Sequence, residues 1–87
     1  MQFRTHKNFD KQYSRLSFKK QTAVDKAIVL FIHDPTNPKL RLHELTGEWS
    51  GHKSISAGGD LRIHFKEQSD IVTILFVAVG THSQLYK

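Results

Sequence analysis

The sequence predicts an α+β fold in which a short N-terminal strand and two helices precede an antiparallel sheet, with the helices on one face. Three observations support this prediction. Residues 7–33 carry apolar side chains at helical spacing, and residues 52–66 alternate apolar and polar side chains around two glycines. Residues 71–79 form a continuous apolar run rich in β-branched side chains. Because 87 residues are the length of one small domain, we expect a single domain over residues 1–87.

The N-terminal part is predicted to hold one strand and two helices. Residues 2–6 have the length of a short strand. A first helix is expected near residues 7–16, because apolar side chains recur there on one helix face, at Phe9, Tyr13 and Leu16. A second helix is expected over residues 18–33, with Ser17 as its N-cap. It should end at Asp34, because a residue before proline avoids the helical region.

The second half is predicted to be sheet. Residues 40–45 contain a short extended stretch, and residues 46–51 form a turn-rich loop whose tryptophan we expect to be a packing anchor. Strands are expected over residues 52–57 and 61–66. The apolar run at 71–79 is typical of a central strand buried on both faces, and Gly80 should end it.

The alternation around the two glycines predicts the geometry of one turn. Directly paired residues lie on the same face of a sheet, so apolar residues pair with apolar residues only if the loop has three residues, 58–60. We therefore expect a three-residue turn with a glycine bulge and with Ile55 opposite Ile63. The other face, expected to be open, then carries four polar side chains: Ser54, Ser56, Arg62 and His64.

The net charge of +5 is concentrated at one end of the chain. Residues 1–20 contain six basic residues and one acidic residue, which accounts for the whole excess. Such a surface is typical either of a solvated helix face or of contacts with nucleic-acid phosphates or an acidic protein. The candidate RNA contacts in this segment are Lys11, Arg15 and Lys19.

Composition excludes several classes of site. The chain has no cysteine, so disulfide scaffolds, thiolate zinc sites and a cysteine nucleophile are excluded. None of its six histidines lies at local metal-ligand spacing from another, so we expect no metal site and no cofactor. The sequence shows neither an apolar signal core nor a membrane span, so we expect a cytoplasmic protein.

Four short motifs in order carry a resemblance to a known family. They are Leu42–Gly51, Ser54-Ile55, Gly59–Ile63 and the ending Gly-Thr-His-Ser-Gln-Leu-Tyr at residues 80–86. Together they resemble the RelE/ParE toxin superfamily, most closely its YafQ branch. The motifs span about half of the chain, and the order of predicted elements before them agrees with the same family.

The resemblance implies a function. It implies the toxin of a type II toxin–antitoxin system, a ribosome-dependent mRNA endonuclease that needs no metal because the attacking 2′-hydroxyl belongs to the substrate. The products would carry a 2′,3′-cyclic phosphate and a 5′-hydroxyl. The implied partners are a cognate antitoxin, held in a hetero-oligomer, and the ribosome with its mRNA.

The resemblance also assigns site residues. His82 matches the general acid, and a histidine is suited to proton transfer near neutrality because its ordinary pKa is about 6.5. His43 and Asp60 match positions that share base and proton-holding roles. Arg62 matches a phosphate-gripping arginine. Tyr86 matches a C-terminal aromatic that stacks a base or orients the phosphate, and its spacing from His82 suits one helical turn.

The sequence departs from the family pattern at three positions. Ser56 replaces a second histidine, Ala78 replaces an arginine, and Leu61 replaces an aromatic residue. His64, expected on the same face as Arg62, is the candidate to substitute for the missing histidine and to contact RNA. Two alternatives follow from these departures: a non-catalytic ParE-like inhibitor of DNA gyrase, or a decayed toxin that only binds its antitoxin.

Overall fold

The computed structural model describes residues 1–68 and 73–86. In chain order its elements are β1 (Gln2–Thr5), α1 (Lys7–Ser14), α2 (Phe18–His33), β2 (His43–Glu44), β3 (Lys53–Ser56), β4 (Leu61–Gln68), β5 (Thr73–Thr81) and α3 (His82–Leu85). Short 3₁₀ turns lie at Pro38–Leu40 and Gly47–Trp49. The predicted α+β order is confirmed. None of the helices in the described ranges is long and apolar enough to span a membrane.

The five strands form one sheet in the order β1-β5-β4-β3-β2. Strands β2 to β5 are antiparallel, as predicted, whereas β1 pairs parallel to β5. A parallel partner needs a long connection, and most of the chain lies between these two strands. Strand β5 is interior, as predicted, but β4 is the middle strand. The strand continues through Gly80 to Thr81, and its predicted start at residues 71–72 lies outside the described residues.

The turn between β3 and β4 has the predicted three residues. Ile55 lies opposite Ile63 and Ser56 opposite Arg62, and the amide of Ala57 donates to the carbonyl of Leu61 at 2.9 Å. The glycines at 58 and 59 have φ values of 100° and 51°, a region that L side chains adopt with strain. The requirement that apolar residues of the two strands pair with each other therefore predicted this turn correctly.

Both long helices cover one face of the sheet and bury a single core there, as predicted. The helices contribute Phe9, Val24, Ala27 and Phe31, which are buried against strand residues such as Phe65 and Phe76. A bulge between His64 and Phe65 brings Phe65 opposite Phe76 in the pairing of β4 with β5. The Phe31 and Phe65 rings lie 4.9 Å apart.

Helix caps define the N-terminal segment. His6 caps α1 by accepting from the amide of Asn8, and Ser17 caps α2 by accepting from the amide of Lys20, the latter as predicted. Helix α1 ends at Ser14, earlier than the predicted residue 16. The C-cap Arg15 still has helical backbone angles, and the chain is extended by Ser17, the N-cap of α2.

Side chains of α1 also complete the edge of β5. Strand β1 pairs with β5 only from Thr73 to Phe76. Beyond that point Asn8 Nδ2 donates to the carbonyl of Val77 at 3.0 Å, and Gln12 Oε1 accepts from the amide of Val79 at 2.8 Å. Helix α1 is therefore fixed beside the end of β5 that leads into α3.

Candidate active site

The sheet face opposite the helices carries the predicted polar side chains. Ser54, Ser56, Arg62 and His64 lie on it together, as the pairing register of β3 and β4 requires. The expectation that this face is open is wrong for three of them. Ser54 is 1%, Ser56 9% and His64 0% exposed. Alternation along a strand determines which face a side chain joins, but it does not determine what covers that face.

The cover comes from Trp49 and from the C-terminal segment. The Trp49 ring lies 4.4 Å from the His64 ring in an edge-to-face arrangement, and its Nε1–H donates to the carbonyl of Leu85 at 3.0 Å. Trp49 is therefore the packing anchor that the sequence predicted. It joins the loop after β2 to α3 over the centre of the polar face.

Burial changes what His64 can do. Burial, together with charge repulsion from the neighbouring His52, His43 and His82, lowers the pKa of His64 to about 4. The ring is therefore neutral near pH 7, and its Nε2 lies 3.3 Å from the hydroxyl of Tyr86. Because His64 is 0% exposed, the direct RNA contact expected from sequence is not open to it in this structure.

Helix α3 presents His82 and Tyr86 on one side, as their spacing predicted. Their ring centroids are 4.4 Å apart, and both residues are exposed. The helix begins with a capping box in which the Thr81 hydroxyl accepts from the amide of Gln84 and the Gln84 side chain accepts from the amide of Thr81. Gly80 makes room for this box, since a Cβ there would lie 2.9 Å from Gln84 Oε1.

Asp60 is brought directly to His82. The backbone amide of His82 donates to the carbonyl of Asp60 at 3.2 Å, which ties the β3–β4 turn to the start of α3. Asp60 is exposed, so its carboxylate is accessible at this junction. Two candidate residues that are distant in sequence therefore belong to one corner of the molecule.

Arg62 lies at the same corner, on β4. Its Nη1 donates to the carbonyls of Gly59 and Leu61 at 2.8 and 3.0 Å and to Ser56 Oγ at 3.3 Å. These bonds fix one nitrogen of the guanidinium against the turn. Among the described residues no carboxylate forms an ion pair with it, so its charge is available to an anion.

His43 lies on β2, at the edge of the sheet. It pairs with Ser54, which pairs with His64, so the three side chains form a row across the sheet. His43 is exposed, and its Nδ1 lies 2.8 Å from the carbonyl of Arg41. A carbonyl only accepts, so Nδ1 carries the proton and the neutral ring presents Nε2 as a base.

The basic candidates lie at different distances from this corner. Arg15 borders a groove of about 220 Å³ with Gln12, Leu16, Val79 and Gln84, so it lies beside α3 although it is remote in sequence. Lys11 and Lys19 are exposed on α1 and α2. Of the three candidates, Arg15 is the one that shares this groove with a residue of α3.

One neighbour was missed by reading the sequence. Sequence patterns give His52 no catalytic role, but its ring lies 5.2 Å from that of Trp49, and its charge repulsion contributes to the lowered pKa of His64. The alternation of side chains along a strand could have predicted this position, because His52 lies two residues before Ser54 and therefore on the same face. Within residues 1–68 and 73–86, no three His, Cys, Asp or Glu side chains are arranged to hold a metal ion.

Comparison with known proteins adds three similar structures. YafQ from E. coli strain BL21(DE3) superposes with a TM-score of 0.79 at 19% identity, over 98% of this chain and 97% of that one. A YoeB/ParE toxin from Agrobacterium tumefaciens gives 0.75 at 13% identity, over 94% and 99%. The E. coli DinJ–YafQ toxin–antitoxin complex gives 0.76 at 19% identity, over 98% and 96%. These likenesses establish a shared fold.

Family membership rests on the sequence itself. No curated protein matches the chain. The family model described as the bacterial toxin of type II toxin–antitoxin systems, YafQ, matches residues 1–87. It covers the motifs around His43, Asp60 and His82 as well as both helices. The chain therefore belongs to the YafQ family of bacterial toxins of type II toxin–antitoxin systems.

Proposed function

We propose that this chain is a ribosome-dependent mRNA endonuclease that uses no metal. The observation that carries the proposal is the corner at which the backbone joins Asp60 to His82, with Arg62 on the adjacent strand. An acid, an anion-binding cation and a carboxylate meet there at the protein surface. Phosphodiester cleavage by the RNA's own 2′-hydroxyl uses a general acid and a cation that binds the phosphate, and His82 and Arg62 are groups of these two types.

Each group has one step in the proposed reaction. His43 Nε2 takes the proton of the 2′-hydroxyl, whose oxygen attacks the adjacent phosphorus. Arg62 binds the non-bridging oxygens while negative charge accumulates on them. His82 donates a proton to the 5′-oxygen as the phosphorus–oxygen bond breaks. The products are a 2′,3′-cyclic phosphate and a 5′-hydroxyl, and Asp60 positions His82 through the hydrogen bond from the His82 amide to its carbonyl.

The proposed partners follow from charge and from the family. The E. coli relative forms a complex with the antitoxin DinJ, and we propose that a cognate antitoxin likewise binds this chain in a hetero-oligomer. Lys11, Arg15 and Lys19 would contact RNA phosphates of the ribosome or mRNA. We propose a cytoplasmic location, because that is where translating ribosomes are.

The experiment uses purified protein in a translating extract. Wild type should cut mRNA and leave cyclic-phosphate and 5′-hydroxyl ends. His82→Ala should lower the cleavage rate by at least about 100-fold, since loss of a general acid has that effect. His33→Ala, a matched change on exposed α2, should retain full activity. Equal rates for wild type and His82→Ala would contradict the role of His82.

A non-catalytic function has one observation in its favour. Ser56, where the family pattern has a second histidine, is nearly buried and its hydroxyl accepts from Arg62. A serine hydroxyl does not exchange protons near neutrality as an imidazole does. Expression that damages DNA through gyrase while mRNA stays intact would favour the ParE-like alternative, and binding to the antitoxin alone would identify a decayed toxin.

A further inference from the structure

His64 is a buried histidine to which the proposed reaction gives no step. It lies at the centre of the polar face, is 0% exposed, and has Ser54 and Ala78 as its neighbours across the sheet. Two aromatic rings cover it: Trp49 at 4.4 Å and Tyr86 at 5.4 Å. A polar ring in such surroundings costs stability unless its hydrogen-bonding groups are satisfied.

Only one of its ring nitrogens has a partner among the described residues. Nε2 lies 3.3 Å from the hydroxyl of Tyr86, whereas Nδ1 is buried without a hydrogen bond. Burial lowers the pKa of His64 to about 4, so near pH 7 the ring is neutral and carries a single proton. The position of that proton determines what the Tyr86 hydroxyl can do.

The two neutral tautomers of His64 differ in free energy, because only one of them leaves a buried N–H without an acceptor. With the proton on Nδ1, the Tyr86 hydroxyl would donate to Nε2, and a buried N–H would be left without an acceptor. With the proton on Nε2, the ring donates to the Tyr86 oxygen, and no buried hydrogen remains unpaired. Unpaired buried N–H groups are rare because each carries its full desolvation penalty. The second tautomer is therefore favoured.

We propose that His64 is a positioning residue that donates from Nε2 to the Tyr86 oxygen, so that the Tyr86 hydroxyl offers its own proton to a non-bridging oxygen of the scissile phosphate. The inference rests on the proposed nuclease function and adds a residue to it. Tyr86 is 38% exposed and its ring lies 4.4 Å from that of His82. The hydroxyl is thus held beside the general acid by a residue that never touches RNA.

The kinetic test uses a double-mutant cycle. Tyr86→Phe should lower kcat about 100-fold, since removal of one donor to a developing anion has that effect. His64→Phe keeps a ring in the buried space and should lower kcat about 10-fold with KM unchanged. In the Tyr86→Phe background, His64→Phe should cause no further loss. Equal losses in both backgrounds would overturn the proposal.

Two further variants separate positioning from packing. His64→Gln, whose side-chain amide nitrogen reaches the place of Nε2, should retain most of the wild-type kcat. His33→Phe makes the same chemical change on the exposed part of α2 and should leave kcat unchanged. If His64→Phe does not fold, His64→Gln still decides: a loss as large as that of Tyr86→Phe overturns the proposal.

A spectroscopic measurement reads the tautomer without any RNA. The ¹⁵N chemical shifts of His64 at pH 7 should identify Nε2 as protonated and Nδ1 as bare, whereas a protonated Nδ1 would overturn the proposal. A wild-type protein that leaves mRNA intact would overturn the nuclease function, and the nitrogen shifts would then still decide whether His64 donates to Tyr86.

Discussion

His43 and His64 lie in one row across the sheet, but their surroundings differ in exposure to solvent. His43 is exposed, and its Nδ1 donates to the carbonyl of Arg41, which leaves Nε2 for the base role proposed above. His64 is enclosed by Trp49 and Tyr86, and its pKa is lowered to about 4. Near neutrality only the exposed ring is suited to exchange protons with a substrate.

The low pKa of His64 predicts how stability changes with pH. The unfolded chain binds a proton at His64 below about pH 6.5, whereas the folded chain does so only near pH 4. Unfolding therefore takes up a proton in this interval, and the free energy of unfolding should fall by roughly 2 kcal/mol between pH 7 and pH 5. Urea titrations at both values measure this change.

The control for this prediction is His64→Phe, which has no proton to gain. Its free energy of unfolding should change much less between the two pH values. A fall as large as that of wild type would show that other groups cause the effect. His33→Phe, altered at an exposed position on α2, should keep the wild-type dependence.

At the scale of elements, α1 acts as an edge of the sheet as well as a cover for its core. Its apolar face buries Phe9, while Asn8 and Gln12 hydrogen-bond to the backbone of β5. A helix that supplies backbone partners to a strand must keep a fixed position along it. The groove that Arg15 shares with Gln84 depends on the same position.

Removal of one of these bonds should be costly. Gln12→Leu keeps most of the side-chain volume but leaves the amide of Val79, a residue that is 2% exposed, without its acceptor. We expect a loss of about 2 kcal/mol in the free energy of unfolding, because a buried donor is left unpaired. Thermal or urea unfolding measures the loss. Lys7→Gln on the same helix should change stability little, and an equal loss there would contradict the explanation.

Prediction from sequence succeeded where one rule acts within a short segment. The pairing of Ile55 with Ile63 on one face was sufficient to predict a three-residue turn. The presence of Ser17, a preferred N-cap residue, was sufficient to predict the start of α2. It failed where distant segments meet. The burial of His64 depends on Trp49, which precedes it in the sequence, and on Tyr86, which follows it. The alternation of residues within one strand does not predict such long-range contacts.

At the scale of the whole molecule, folding brings part of the basic N-terminal segment close to α3, although the two are far apart in the sequence. The basic excess lies in residues 1–20, and the candidate site lies on residues 43–86. Because α1 is fixed beside the end of β5, Arg15 borders α3. A nucleic acid held by the basic residues could therefore extend toward His82 without leaving the protein surface.

This arrangement predicts a selective effect of salt on RNA binding. The triple variant Lys11→Gln, Arg15→Gln and Lys19→Gln should reduce the slope of log affinity against log salt concentration by about 2, since each phosphate contact on a single strand contributes about 0.7. The control removes the same charge elsewhere, by Lys26→Gln, Lys39→Gln and Lys66→Gln. An equal reduction in both variants would show that only net charge matters. Filter binding at several salt concentrations gives the slopes.

The hydrogen bonds from Asn8 and Gln12 also affect how copies of the chain meet one another. A strand edge with free amides and carbonyls is a template on which another chain can add a strand. The two side chains occupy these groups on β5 beyond the end of β1. Substitutions that release them would thus lower solubility as well as stability, because aggregation could begin at the exposed edge.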